Sequence, residues 1–213
     1  MHIGYEKANH YNILRFFNKA MTKADMVILD GDIFDLWRTP YRKILFHIKP
    51  EFHDVMNVIQ ATAEKIPVII IPGNHDFNLE KIWRDHQGYK VKIVNRSLIQ
   101  GSFLFMHGWQ FDVKQLFGSF AYGWLVNQFP FLYQRYFKSP SQVVNRRSDV
   151  RSKQVKRIHS KASKYASRHK FKYIVMGHTH VPGIHGNVID CGDFIDSCSY
   201  IEITGGNPEL KYL

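Results

Sequence analysis

Asp32, Asn74, His75, His107, His178 and His180 share a setting. Each follows an apolar run, in the stretches GDIFDLW, PGNHD, FMHGW and GHTH, and most adjoin a glycine: Gly31, Gly73, Gly108 or Gly177. An apolar run that ends in Gly and a polar side chain delivers that side chain to one edge of a sheet. The glycine lets backbones approach closely there. Imidazoles, a carboxylate and an amide converging on one edge make a mixed nitrogen and oxygen site, better suited to Mn, Fe or Zn than to Ca or Mg. A carboxylate that can bridge two ions, with neutral imidazoles around it, is what a two-metal hydrolase requires. Such ions sit about 3.5–4 Å apart, clamp a phosphoryl group and lower the pKa of a bridging water. Taken singly the motifs are weak, since a lone Gly-Asp is more often a turn and a lone His more often a satisfied structural residue. All four in this order, each at the end of an expected strand, specify a metal site.

The elements that must position these residues alternate in the first half. Residues 9–24 carry the 3.6-residue rhythm of a helix, with Ile13, Phe16, Phe17 and Ala20 on one face. DMVILDGD reads as a buried strand running into a Gly turn. EFHDVMNVIQATAEKI gives a second amphipathic helix, with Phe52, Val55, Val58 and Ile59 on one side, and PVIIIPGNHD repeats the strand-and-turn device. Sites in such α/β arrangements lie at the carboxyl ends of the strands. The second half is strand-rich. YKVKIVNRSLIQGSFLFMHG reads as two strands around a Gln-Gly-Ser turn, and KYIVMGHTH, GNVIDCGDF, SYIEIT and ELKYL follow as short strands with Gly or Asn breaks. The expected fold is α/β (α+β): two sheets packed face to face with helices outside, in a single domain over residues 1–213.

Between these halves the pattern breaks. Residues 116–137 are dense in Phe, Tyr and Trp, and residues 151–169 read as a helix with Val155, Ile158, Ala162 and Tyr165 as an apolar stripe. Residues 112–170 are therefore expected to form a helical insertion that caps the site. The net charge of +11 is concentrated here: residues 135–172 hold thirteen Lys or Arg against one acid, Asp149, a local balance of +12 that leaves the rest at about −1. Three readings of the cap are open. Phe117, Phe120, Trp124, Phe129 and Phe131 could hold acyl chains or meet a membrane surface, with Arg157, Lys161 and Lys164 facing phosphates or anionic headgroups. They could instead stack the bases of a nucleic acid, or the cap could simply pack on the domain with a solvated basic face. Substrate binding is assigned to Arg157, Lys161, Lys164 and Trp124 on the first reading.

An apolar content of 45% supports a real core, and no stretch approaches the roughly 18 apolar residues of a membrane span. No secretory leader is visible, and Cys191 and Cys198 lack a metal or redox spacing, so reduced thiols and a cytoplasmic protein, peripheral at most to a membrane, are expected.

In combination these motifs resemble those of the calcineurin-like metallophosphoesterases over nearly the whole chain. GDIFDLW, with the size and position of the insertion, is most similar to the UDP-2,3-diacylglucosamine pyrophosphohydrolases. The resemblance implies a four-layer β-sandwich flanked by helices, and a hydrolase of phosphoester or pyrophosphate bonds acting on a nucleotide-linked lipid such as UDP-2,3-diacylglucosamine. It implies two divalent ions, Mn ahead of Fe and Zn. His2, Asp32 and His180 would hold the first, and Asp32, Asn74, His107 and His178 the second. His75 would face the substrate phosphate, with Asp76 orienting it. Asp35 and Trp37 fit the same pattern, or serve structure alone. A phosphodiesterase or nuclease, and a weakly catalytic metal-binding scaffold, are the alternatives. The family's D-x-H pattern places His2 but puts its Asp before Met1, so a start upstream of Met1, carrying that Asp and its strand, is expected. A variant lacking one ligand, and a chance match at His2, stay open beside it.

Overall fold

The computed structural model describes residues 1–37, 50–80, 90–112 and 148–213. Helix α1 (His10–Lys23) starts where the Asn9 side chain accepts the Asn12 N–H at 3.0 Å. A short polar side chain at that position satisfies one of the amides a helix leaves unpaired. The helix buries Ile13, Phe17 and Ala20, while Phe16 lies at the rim, edge-on to Phe17, Phe194 and Tyr200. Helix α2 (Pro50–Lys65) buries Phe52, Val55, Met56 and Ile59 in the same cluster.

Both helices cover one face of a three-stranded parallel sheet, β1 (Val27–Asp30), β2 (Val68–Ile71) and β3 (Val91–Ile93), in the order β1-β2-β3. Strand period two divides the labour: Val27, Leu29, Val68 and Ile70 face the helices, and Ile28 and Ile71 face the other way. There they meet Phe103, Phe105, Val175 and Ile189 of a five-stranded sheet, β4 (Leu98–Gln100), β5 (Phe103–Phe105), β6 (Tyr173–Met176), β7 (Gly183–His185) and β8 (Val188–Asp190), in the order β4-β5-β6-β8-β7. The far face of this sheet, through Leu104, Ile174, Met176 and Val188, is covered by helix α3 (Ser148–Arg168). The result is helix, sheet, sheet, helix, the four layers expected. Each fully buried Ile or Phe in these clusters contributes roughly 1.5–3 kcal/mol. A hairpin of β9 (Ser199–Thr204) and β10 (Asn207–Tyr212) closes the chain, turning through Gly205 and Gly206 with φ of +57° and +80°. Two consecutive positive-φ residues favour Gly-Gly in such a two-residue loop.

Three expectations are corrected. Residues 90–108 form three strands rather than two. The turn at Arg96, with φ +69°, sends β3 to the first sheet and the hairpin β4–β5 to the second. Strand β7, antiparallel to β8, adds to the strands expected. The buried stripe of α3 is Ile158, Ala162 and Ala166, not one that includes Tyr165, which is 39% exposed against Phe111 and His169. Spacing of four keeps one narrow line against the sheet, and two alanines let the helix come close. This helix, expected in the cap, is thus an outer layer of the sandwich. Trp124 and the other aromatic residues of the expected cap lie outside the described residues.

Candidate metal centre

Strands β1 and β2 run parallel, as do β5 and β6, so their carboxyl ends lie together. Asp32 follows β1, Asn74 and His75 follow β2, His107 follows β5, and His178 and His180 follow β6. His2 joins them from the N-terminus: its amide donates to Asp32 O at 2.8 Å, and Ile3 pairs in parallel with Phe34.

Asp32 is the centre. Its Oδ2 lies 3.1 Å from His107 Nε2, 3.8 Å from His2 Nε2 and 3.9 Å from His75 Nε2. His2, Asp32 and His180 each offer a ligand atom within 4.8 Å of the others, and His2 Nε2 is 3.3 Å from His180 Nε2. His178 sits edge-on to His107, with ring centroids 5.2 Å apart. Among the described residues, the buried Asn74 Oδ1 has no hydrogen-bond partner, while His107 Nε2 faces Asp32 Oδ2 alone. Buried polar atoms are nearly always satisfied, and an orphan amide oxygen among imidazoles and a carboxylate fits a cation. The local field agrees. Burial alone would depress His107, but Asp32 overrides it and pushes the imidazole up to about 9. Burial likewise opposes ionisation of Asp32, yet His107, His75 and His2 hold its carboxyl well below the usual range. Burial keeps His178 and His180 neutral, the state in which an imidazole ligates.

The backbone is strained at the same place. His2, Asp32 and His180 have φ of +57°, +50° and +57°, each costing about 1–3 kcal/mol and held by its surroundings. Gly31 explains itself: its φ is +79°, and a Cβ there would collide with the His107 ring.

Asp76 is corrected. Its Oδ1 accepts the amides of Gly73 at 2.6 Å and Asp32 at 3.3 Å, and its Oδ2 those of Ile33 at 2.7 Å and Phe34 at 3.2 Å. Both oxygens are committed to backbone, of the loop that carries Asp32 and of Asp76's own loop at Gly73, so Asp76 ties the two loops together rather than orienting His75. Asp35 does the orienting: Oδ1 is 3.1 Å from His75 Nδ1 and Oδ2 is 3.2 Å from His2 Nδ1. Trp37 stacks on His75 at 3.9 Å and 22°.

Further carboxylates stand behind the other imidazoles. Asp193 Oδ2 is 3.8 Å from His180 Nδ1, and Asp112 Oδ2 is 3.5 Å from His178 Nε2. Sequence reasoning misses these roles, although GD after β8 repeats the Gly-Asp signal of β1. Arg157, Lys161 and Lys164 are exposed on α3, where Lys161 donates to Phe111 O at 3.1 Å.

The calcineurin-like phosphoesterase family matches residues 1–182. The chain is also similar to proteins named UDP-2,3-diacylglucosamine hydrolase from Shewanella sp. (strain MR-7), at 23% identity, and Shewanella sp. (strain ANA-3), at 24% identity. Each alignment covers 93% of this chain and 88% of the relative. Because the family match takes in every strand end that feeds the Asp32 cluster, the chain belongs to the calcineurin-like phosphoesterases, enzymes that cleave phosphoester bonds with divalent metal ions.

Proposed function

We propose that this phosphoesterase hydrolyses the pyrophosphate of a nucleotide-linked lipid or a similar amphiphile, with Asp32 shared between two divalent ions, Mn ahead of Fe and Zn. His2 and His180 would help hold the first ion, and Asn74, His107 and His178 the second. The observation that carries the reading is the meeting of three imidazole nitrogens within 3.9 Å of one carboxylate oxygen, Asp32 Oδ2. Ions held there supply a water of lowered pKa and neutralise charge on the phosphoryl oxygens.

The chain's own groups do the rest. Asp35 takes the Nδ1 side of His75 and Trp37 fixes its plane, so its Nε2, on the Asp32 side, would meet a phosphoryl or leaving-group oxygen as proton donor or charge stabiliser. His75 is 13% exposed where His107 is 2%, so of the two it is the one a substrate reaches.

The lipid-linked substrate is supported by the names of the relatives and by the exposed basic face of α3, where Lys153, Lys156, Arg157, Lys161, Lys164 and Arg168 present no acid between them. Such a face suits substrate phosphates or the anionic surface of a membrane. Among the described residues no helix is long and apolar enough to cross one. The test is hydrolysis of UDP-2,3-diacylglucosamine beside single-stranded DNA and bis(p-nitrophenyl) phosphate, all with Mn²⁺. Preference for the lipid supports the reading. Preference for DNA that weakens steeply with salt replaces it with a nuclease.

A further inference from the structure

Asp190 ends β8, paired with Met176 at the end of β6, directly beside the turn Gly177–His180. It is fully buried and both its oxygens are engaged: Oδ2 accepts the Thr179 hydroxyl at 2.6 Å and His159 Nε2 at 3.0 Å, and Oδ1 accepts the Gly192 amide at 3.1 Å. Thr179 stands between the two imidazoles assigned to different ions, and its oxygen accepts the Val181 amide at 3.2 Å. His159 belongs to α3, and so does Gln154, which donates at 2.7 Å to the Asp112 oxygen lying 3.5 Å from His178. One helix therefore backs the turn at two points, each time through a buried carboxylate.

We infer that Asp190 is a positioning residue for the metal centre: by fixing the Thr179 hydroxyl it sets the directions of His178 and His180, and His159 ties that setting to α3. The inference rests on the metal assignment proposed above. Its physical basis is that His180 is held at φ +57°, a conformation the isolated turn would not keep. An acceptor-only carboxylate can take three donors at once. An Asn in its place has one acceptor oxygen and turns an N–H₂ toward at least one donor. Groups that orient metal ligands typically change metal affinity by about ten- to a hundredfold when removed.

The experiment is titration of the whole, chelator-stripped chain with Mn²⁺, reading free ion by electron paramagnetic resonance, together with urea unfolding in EDTA. Variants are Thr179→Val, Thr179→Ser, Asp190→Asn and His159→Phe. Thr179→Val and Asp190→Asn are expected to weaken Mn²⁺ binding about ten- to a hundredfold and His159→Phe less, while Thr179→Ser, which keeps the hydroxyl, binds as the parent does. Wild-type affinity in Thr179→Val and Asp190→Asn overturns the inference and leaves the metal site standing. Thr179→Ser as weak as Thr179→Val also overturns it, since the hydroxyl would then not be the operative group. So does a Thr179→Val chain whose metal-free stability falls while its Mn²⁺ affinity holds. A parent chain that binds no Mn²⁺ removes the metal assignment itself, and this inference with it.

Discussion

Removing the Asp76 carboxylate is the sharpest way to separate scaffold from chemistry at this site. Asp76 accepts four backbone amides at 2.6–3.3 Å and is itself completely buried. In Asp76→Asn one oxygen becomes an N–H₂ group that faces two of those amides, so two buried donors lose their acceptor. Each buried unsatisfied group costs about 1–3 kcal/mol, which puts the variant about 3 kcal/mol down. Asp76→Ala orphans all four. Even allowing for shared relaxation it should lose about 5 kcal/mol, enough to unfold a protein of ordinary stability. The loop would also lose what holds Asp32 at φ +50°. Urea unfolding in EDTA reads the scaffold alone, because no bound ion contributes, and Asp76→Asn can be assayed for hydrolysis well below its midpoint. The expected result is a large fall in stability in the order Asn then Ala. A fall below about 1 kcal/mol together with lost turnover would refute the brace and return Asp76 to the chemistry.

Three further outcomes follow from particular residues. Both carboxylate oxygens of Asp30 are buried without a partner among the described residues, and burial raises its pKa from 3.8 to about 7. A carboxyl raised on folding destabilises the fold once the unfolded chain ionises, so the penalty starts near pH 4 and is complete above pH 7. In metal-free protein Asp30→Asn should therefore be the more stable form, by a margin that widens by about 2–3 kcal/mol between pH 5 and pH 8; equal margins at both pH values in urea unfolding would exclude this. Gly31→Ala places a Cβ against the His107 ring at a positive φ, so Mn²⁺ affinity should drop at least about tenfold, and an unchanged titration would show that His107 is not a ligand. Substituting Gln for Arg157, Lys161 and Lys164 together should weaken binding to anionic vesicles about a hundredfold, at about 1 kcal/mol per charge. Flotation that ignores both the substitutions and the salt would remove the membrane from the account.

The sandwich is legible because its long elements carry clean periods. Residues 9–24 and 50–65 repeat apolar side chains every three or four positions, and VILD and VIII end in Gly turns that announce their polar cargo. Strands of three residues do not carry a period. VKI and GIH are too short to show alternation, so β3 merges with its neighbour and β7 goes unmarked. The apolar stripe of α3 ends on Ala166 rather than Tyr165 because the two are adjacent, and tertiary contact, not hydropathy, decides for the alanine. At the site, the residues that face inward are readable from strand ends. Those that act behind them are harder to read: Asp35 sits in a motif and Asp193 follows a Gly as Asp32 does, but Asp35, Asp112, Asp190 and Asp193 reach their imidazoles across long stretches of sequence, and nothing local says which imidazole each will meet. Asp76 shows the converse, a motif residue whose neighbours suggest chemistry and whose hydrogen bonds go to backbone.

On the proposed function, Asp32 is the carboxylate around which metal and phosphate would meet. The most direct test measures bound divalent metal by elemental analysis and bis(p-nitrophenyl) phosphate hydrolysis with Mn²⁺ on the same samples of the parent chain and Asp32→Ala. The account predicts metal bound to the parent, hydrolysis abolished by EDTA and restored by Mn²⁺, and loss of both metal and at least about a hundredfold in rate in the variant. Hydrolysis that survives EDTA, or an Asp32→Ala chain that keeps its metal and its rate, would contradict it.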